Sequence, residues 1–445
     1  MPFQPLGLIL LCCHGTVRPV LECDGHWKGK SMEFRALSLL VSDPAHFLTA
    51  TPRKPVVFEG CRDAVRGLFT YDDVDDLLSS RSLRIPNVSL LNTSMPAPSR
   101  AFADAKFPTE DIADPLAVAA YLQNGYSITF NQLHAFLPPL GELASRLEYE
   151  MGCPVEVTAF VTPPGAKALS PHHDTVSTFL CQTEGTKHWK LARPVVSNPH
   201  PDEKWDWAYL DADEQERVLS GEPDLEVTLQ PGMCLWIPRG WVHSAVVDPD
   251  SQTSVHLTLE IRRESRYWLA RQLVDYLGHI PYLREDLPAG QTTAWSQEED
   301  DTAGFLDTLA KLVASVDTED FRRYATHQHR SRFRGPKIRP VRDVLESERA
   351  SLVDAVIRLD GIRGHEWENG ILRLHLGGAE RSFEGAEAQL LRALIEQEPE
   401  TALLPIAVQT LGEEGARRFV RVLLALGVAS LPQRNRVPQP AESWR

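Results

Sequence analysis

Val155 to Thr162 reads VEVTAFVT, and five comparable stretches follow before residue 262: STFLCQT (177–183), KHWKLA (187–192), LEVTLQ (225–230), MCLWIP (233–238) and SVHLTLEI (254–261). Each is a short run of alternating or continuous apolar character. Gly and Pro turn signals separate them at Pro163–Gly165, Pro231–Gly232 and Pro238–Gly240. Many short strands at close spacing, with turns between them, predict a sandwich or barrel rather than a parallel α/β sheet.

On either side the texture changes. Upstream, helical patterns occupy 43–49, 72–79 and 139–151, with a short apolar strand near Pro55 to Glu59. After Arg263 the strands stop. Residues 264–277 and 303–329 read as helices around a polar, acidic loop near Glu298 to Thr302, and RSRFRGPKIRPVR (330–342) reads as a linker. Beyond it, 345–359, 384–396, 402–410 and 413–426 read as helices, with a hairpin around Glu366 to Ser382. Helices with one small hairpin suggest a winged-helix-like module.

The chain has 445 residues, enough for two or three domains, and its 42% hydrophobic and 24% charged content is that of a globular protein with a core. No run approaches the roughly 18 apolar residues that span a bilayer. A formal charge of -15 argues against a general nucleic-acid binder, yet suits attraction of a cationic protein or peptide. The seven cysteines (Cys12, Cys13, Cys23, Cys61, Cys153, Cys181, Cys234) are scattered and odd in number, which points to a reducing, cytoplasmic setting. Leu6 to Cys13 is apolar but lacks the preceding basic residues of a signal peptide. Met32 opens an amphipathic stretch, so residues 1–31 read as an extension outside the fold.

The chemistry lies in PHHD (171–174) and IPRGWVH (237–243). On an extended strand, His172 and Asp174 face one way and His173 the other. A third ligand must come from elsewhere, and His243 follows a tight Pro-Arg-Gly turn. Two imidazoles and a carboxylate on one face, with the opposite positions open, are the ligand set of non-haem Fe(II) oxygenases. An H-x-D triplet alone is more often a surface hydrogen bond. Its context adds weight: in QTEGTKHWKL, Lys187 and Trp189 share one side of a strand. If Trp189 points into the barrel, Lys187 does too, and a buried ammonium needs an anion.

FVTPPGAKALSPHHDTVSTFLCQTEGTKHWKLARP (160–194), QPGMCLWIPRGWVHSA (230–245) and SVHLTLEI together resemble the JmjC oxygenases of the ribosomal-oxygenase group, the bacterial ribosomal-protein arginine hydroxylases and nucleolar histidine hydroxylases. The resemblance implies an α+β protein with a double-stranded β-helix. It implies Fe(II) on His172, Asp174 and His243, with O2 and 2-oxoglutarate as cosubstrates and 2-oxoglutarate anchored by Lys187. The layout it implies is a catalytic domain over 32–263 with its core at 154–262, a helical dimerisation region and linker over 264–340, and a winged-helix-like domain over 341–445. A homodimer follows from it, as does a protein or peptide substrate.

Where relatives carry Asn and Tyr on the strand before the triad, this chain has Thr158 and Phe160, which leaves the substrate open. Thr178 and Thr258 are taken as cofactor-binding, with Gln182 and His256 as further pocket residues; His256 fits a packed structural role somewhat better than substrate contact. The basic stretch Arg322 to Arg342 reads as a solvated linker before a contact for an acidic partner or RNA. His327 and His329 within it read as surface residues. Arg417, Arg418 and Arg421 read as a solvated helix face rather than a DNA-recognition surface. Trp205 and Trp207 either line the site entrance or pack on the barrel. The leading reading is hydroxylation of a protein or peptide residue; the alternatives are tailoring of a small molecule or ribosomal peptide, N-demethylation, or a metal-binding scaffold without turnover.

Overall fold

The computed structural model describes residues 36–59, 62–80, 83–93, 111–207, 210–286, 302–336, 338–348, 351–396 and 402–431. The expectations for residues 1–31, for most of the acidic loop before Thr302, and for Cys12, Cys13, Cys23 and Cys61 lie outside the described residues. The chain divides into two compact units between Arg263 and Glu264. Among the described residues no helix is long and apolar enough to cross a membrane.

The first unit is built on strands β1 (Val56–Phe58), β2 (Val88–Leu91), β3 (Ser127–Phe130), β4 (Val155–Thr162), β5 (Ser177–Glu184), β6 (Lys187–Ala192), β7 (Leu225–Leu229), β8 (Cys234–Ile237), β9 (Val242–Val246) and β10 (Ser254–Ile261). Seven form one antiparallel sheet in the order β1-β8-β5-β10-β4-β3-β2, and three form a second in the order β7-β6-β9. β4 and β5 are consecutive in sequence yet flank β10 on opposite sides, and the next strand, β6, belongs to the other sheet. These two antiparallel sheets are the sandwich or barrel that the strand spacing predicted, and with the helices outside them they give the α+β class that the resemblance implied.

Alternation along β4 shows how the sequence chooses faces. Val155, Val157, Ala159 and Val161 are buried on the outer side, in one cluster with Leu257, Leu259, Phe179 and Trp236. That face is covered by apolar residues of the preceding helices, among them Leu37, Leu40, Phe47, Leu143 and Leu147. Phe47 packs edge-on against Trp236 at 5.1 Å and tilted against Phe179 at 5.3 Å. Two buried carboxylates on the helix Pro138–Met151 fasten this layer. Glu150 accepts from the backbone N–H of Ala36 (2.9 Å) and Leu37 (2.7 Å), and Glu148 from that of Val155 (3.2 Å). Such bonds offset the cost of burying charge. The other face of the large sheet meets the small one through a compact cluster of Leu180, Trp189, Leu191, Leu229, Leu235, Ile237 and Trp241.

The second unit contains helices Arg266–Leu277, Thr302–Ala314 and Thr318–Ser331, a three-stranded sheet β12-β13-β14 (Gly364–Glu368, Ile371–His375, Glu380–Glu384), and helices Gly385–Glu396 and Leu403–Ala425. Leu372, Leu374, Phe383, Leu391, Phe419 and Leu423 share its core. The helix Leu403–Ala425 is interrupted at Gly412, whose φ of 71° and ψ of 172° are not helical, so the two predicted helices are joined across a kink.

Four expectations are corrected here. The helix over 303–329 is two helices, because Asp317 caps the second by accepting from Asp320 N at 2.9 Å. Residues 345–359 are not a helix. They hold a short 3-10 turn at Glu346–Glu348 and strand β11 (Val356–Ile357), which pairs with β15 (Ala429–Ser430). The basic stretch is not a free linker, since Arg330 pairs with Glu366 at 2.8 Å, Arg332 with Glu264, and Arg339 with Asp343 at 2.9 Å. His329 is only partly a surface residue: its side chain is 28% exposed, and it hydrogen-bonds Glu264 at 3.0 Å and packs edge-on against Trp268 and Phe333.

Candidate metal and cosubstrate site

His172 and His243 meet although 70 residues of chain separate them. An isolated antiparallel bridge joins them, with His172 N donating to His243 O at 3.1 Å and His243 N to His172 O at 2.8 Å. Their rings lie 4.4 Å apart. Asp174 reaches both: Oδ1 is 4.0 Å from His172 Nε2, and Oδ2 is 3.6 Å from His243 Nε2. The three donor atoms fall within 4.8 Å of one another, and no other metal-capable cluster occurs among the described residues.

The tautomers are fixed from behind. His172 Nδ1 faces the carbonyl of Ser170 at 2.8 Å, and His243 Nδ1 faces that of Trp241 at 3.0 Å. A carbonyl accepts only, so both Nδ1 atoms carry the proton and both Nε2 lone pairs point toward Asp174. Burial, reinforced by the neighbouring His243, lowers the His172 pKa to about 4, so it is neutral and ready to ligate at ordinary pH. Two imidazoles and a carboxylate fit a divalent first-row metal.

His173 does turn away, as alternation requires. It is 6% exposed, its Nε2 donates to the carbonyl of Glu203 at 3.0 Å, and its ring lies edge-on to Trp205 at 5.1 Å. Trp205 in turn packs edge-on against Trp207 at 5.2 Å. Both tryptophans, with Leu90, Leu169, Pro171 and His172, line a cleft of about 450 Å³. The loop therefore walls a cleft that reaches His172.

Lys187 points inward beside Trp189 and is 2% exposed. Its Nζ donates to Thr162 Oγ1 at 2.9 Å, and Ser127 Oγ lies 3.2 Å from the same oxygen. Among the described residues no carboxylate pairs with it, and burial lowers its pKa to about 7. Such a group suits an incoming anionic carboxylate. The Phe160 and Trp189 ring centroids lie 6.0 and 5.6 Å from Nζ.

The remaining predicted residues share the inner face by alternation. Thr178, Leu180 and Gln182 lie along β5, and Ser254, His256, Thr258 and Glu260 along β10, with Thr258 opposite Thr158 and His256 opposite Phe160. Thr178 is 1% and Thr258 8% exposed. Gln182 donates to Ser254 Oγ at 2.8 Å, while its Oε1 is buried without a partner. Sequence reasoning missed Thr162 and Ser127, although Thr162 follows Thr158 and Phe160 at the same period of two. It also missed Glu260, whose pKa is raised mainly by burial, with Arg262 opposing and Glu156 and Asp174 adding to the rise. Arg262 bridges Glu260 at 2.6 Å and Glu156 at 3.1 Å. His327 and the arginines 417, 418 and 421 are not part of this site. Arg418 pairs with Glu387 at 3.0 Å, and Arg421 donates to the carbonyls of Ser347 and Glu348.

Known proteins share this core. The JmjC domain family model matches residues 134–268. The bifunctional lysine-specific demethylase and histidyl-hydroxylase NO66 of Drosophila persimilis is 30% identical over 153 residues, 34% of this chain and 21% of that one. Ribosomal oxygenase 1 of Gallus gallus is 30% identical over 213 residues, 47% of this chain and 32% of that one. The matched stretch thus spans about a fifth to a third of these relatives' length. The crystal structure of Escherichia coli ribosomal oxygenase YcfD superposes with a TM-score of 0.51 at 14% identity, covering 88% of this chain and 99% of that one, which is a likeness of fold. Residues 134–268, which carry the His172–Asp174–His243 cluster and Lys187, are a JmjC domain related to those of the ribosomal oxygenases.

Proposed function

We propose that this chain is an Fe(II)- and 2-oxoglutarate-dependent dioxygenase that hydroxylates a residue of a protein or peptide. The observation that carries the reading is a pair: an open-faced His172, Asp174, His243 donor set, and a buried Lys187 ammonium with no carboxylate of its own on the same inner wall. His172, Asp174 and His243 would hold Fe(II). Lys187, steadied by Thr162, would hold the far carboxylate of 2-oxoglutarate, with Thr178 and Thr258 lining the wall. Iron with 2-oxoglutarate and O2 supplies oxidative decarboxylation and C–H hydroxylation. The chain's share is to fix the imidazole tautomers, neutralise the cosubstrate's far charge, and exclude water behind Trp189 and Phe160.

The names of the relatives, a histidyl-hydroxylase and a ribosomal oxygenase, support a protein substrate, with a ribosomal protein as the first to try. After a catalytic domain over 32–263, the second unit is read as a dimerisation region and linker over 264–340 followed by a winged-helix-like domain over 341–445. Exposed apolar residues on its helices support self-association: Leu269 43%, Val274 59%, Phe305 42% and Leu306 55%. Cys181 and Cys234 face each other at 3.6 Å without a disulfide, which supports a reducing cytoplasm. Neither a membrane nor nucleic acid is invoked as a partner.

The test is succinate formation from 2-oxoglutarate with Fe(II) and ascorbate, beside His172→Ala, followed by proteome mass spectrometry for a gain of one oxygen. Turnover equal in the two proteins, or in neither when lysate supplies substrate, would sink the proposal.

A further inference from the structure

His256 belongs to the same inner wall, and its environment is unusual for a structural histidine. It is 2% exposed, and its Nδ1 is sealed from solvent without a hydrogen-bond partner. Its ring stacks on Phe160 at 5.0 Å with 5° between planes, and stands edge-on to Trp189 at 5.4 Å. Lys187 Nζ lies against the same two rings, 6.0 Å from the Phe160 centroid and 5.6 Å from that of Trp189. Trp189 also reaches the His243 ring at 6.2 Å. His256 and Lys187 thus share the Phe160 and Trp189 rings, and Trp189 also contacts the His243 ring of the donor set.

A buried polar atom without a partner is costly, and proteins rarely leave one unexplained. Packing alone would be met by an aromatic or aliphatic residue at no such cost. We propose that His256 contacts the cosubstrate, donating a ring N–H hydrogen bond to an oxygen of the dicarboxylate that Lys187 anchors. Burial, with Lys187 and His243 close by, holds the His256 pKa well below its usual value. The ring is thus neutral, with one N–H to give, and it adds no second positive charge beside Lys187. A bond from this N–H to an anionic oxygen is charge-assisted. The inference rests on the reading of the site as a 2-oxoglutarate site.

The test is anaerobic binding of 2-oxoglutarate to the full chain loaded with Fe(II), read by the metal-to-ligand charge-transfer absorption, and by calorimetry with Mn(II) in place of iron. His256→Phe keeps a planar ring against Phe160 and Trp189 but removes the N–H. It is expected to weaken 2-oxoglutarate binding about tenfold, the loss of one charge-assisted hydrogen bond, with metal affinity unchanged within about twofold. His256→Gln restores a donor and is expected to recover most of that loss. In the wild type, the His256 ring nitrogen resonances should shift on addition of 2-oxoglutarate to the Zn(II) form. Equal 2-oxoglutarate affinity in His256→Phe and wild type, or an unmoved His256 resonance at saturation, overturns the inference and leaves the oxygenase reading standing. Absence of 2-oxoglutarate binding to wild type overturns both.

Discussion

His172 and His243 donate to each other through their backbones at 3.1 and 2.8 Å, so the two imidazoles are spaced by a β-bridge rather than by side-chain packing. The bridge extends the small sheet beyond β9 and brings Asp174 between the rings. A donor set built on backbone pairing is preorganised before any ion arrives, and its geometry is insensitive to most surface substitutions.

The first prediction separates the two adjacent histidines. His172→Ala or Asp174→Ala removes a donor and is expected to lower Fe(II) affinity at least about 100-fold. His173→Ala removes only the contacts to Glu203 and Trp205, and is expected to retain iron within about twofold. Metal content after dialysis at fixed free Fe(II) is the measurement. Equal iron loss at positions 172 and 173 would refute the assignment.

If Lys187 anchors the dicarboxylate as proposed, binding depends on pH. Its pKa in the free protein is about 7, and a bound carboxylate raises it. Above pH 7 the free lysine is largely neutral, so binding takes up a proton. The dissociation constant is then expected to rise by up to about tenfold per pH unit from 7 towards the bound pKa. Calorimetry in buffers of different ionisation enthalpy counts the proton, and Lys187→Met should abolish the uptake. Stability of the free protein runs with the same sign: the unfolded state binds more protons between pH 7 and 10.5, so stability should rise across that window. A flat urea midpoint over that range would contradict it.

Gly185 sets where Lys187 begins its strand. Its φ is +59°, and a Cβ there would come 2.3 Å from the carbonyl oxygen of Thr253. Gly185→Ala is expected to destabilise the protein by about 2–4 kcal/mol, from backbone strain plus overpacking. Gly125, at φ +81°, has nothing within 4 Å of a Cβ, so Gly125→Ala should cost only the strain, about 1 kcal/mol. Denaturant unfolding of the two variants gives the comparison, and similar losses would show that the Thr253 contact is relieved cheaply.

The large sheet and most of the site were legible because both rest on local patterns. VEVTAFVT, KHWKLA and SVHLTLEI span strands with the bounds read from sequence, and period-two alternation chose His172 over His173 and sent Lys187 inward with Trp189. What was not legible depended on partners distant in the chain. Thr162 meets Lys187 only because β4 and β6 face each other across two sheets. Residues 345–359 have helical spacing at Leu352 and Ala355, yet Val356 and Ile357 pair with strand residues 429–430, and Val356 also bridges Ala402. Non-local pairing there overrides local propensity. His329 likewise looked solvated within its charged run until Glu264 supplied a partner.

Trp205 gives the last prediction. It is held by His173 on one side and Trp207 on the other, and it walls the cleft beside His172 without belonging to the donor set. Lys187 does not line this cleft, so under the proposed function Trp205 would meet substrate rather than cosubstrate. Trp205→Ala should therefore raise KM for a protein or peptide substrate about tenfold or more, as loss of an aromatic anchor does at an interface. Iron content and anaerobic 2-oxoglutarate affinity should stay within about twofold of wild type. The ratio of succinate formed to substrate hydroxylated should rise, because cosubstrate turnover continues while substrate is poorly held. A variant with normal KM, or one that loses 2-oxoglutarate affinity in parallel, would place Trp205 in the packing of the barrel instead of at its entrance.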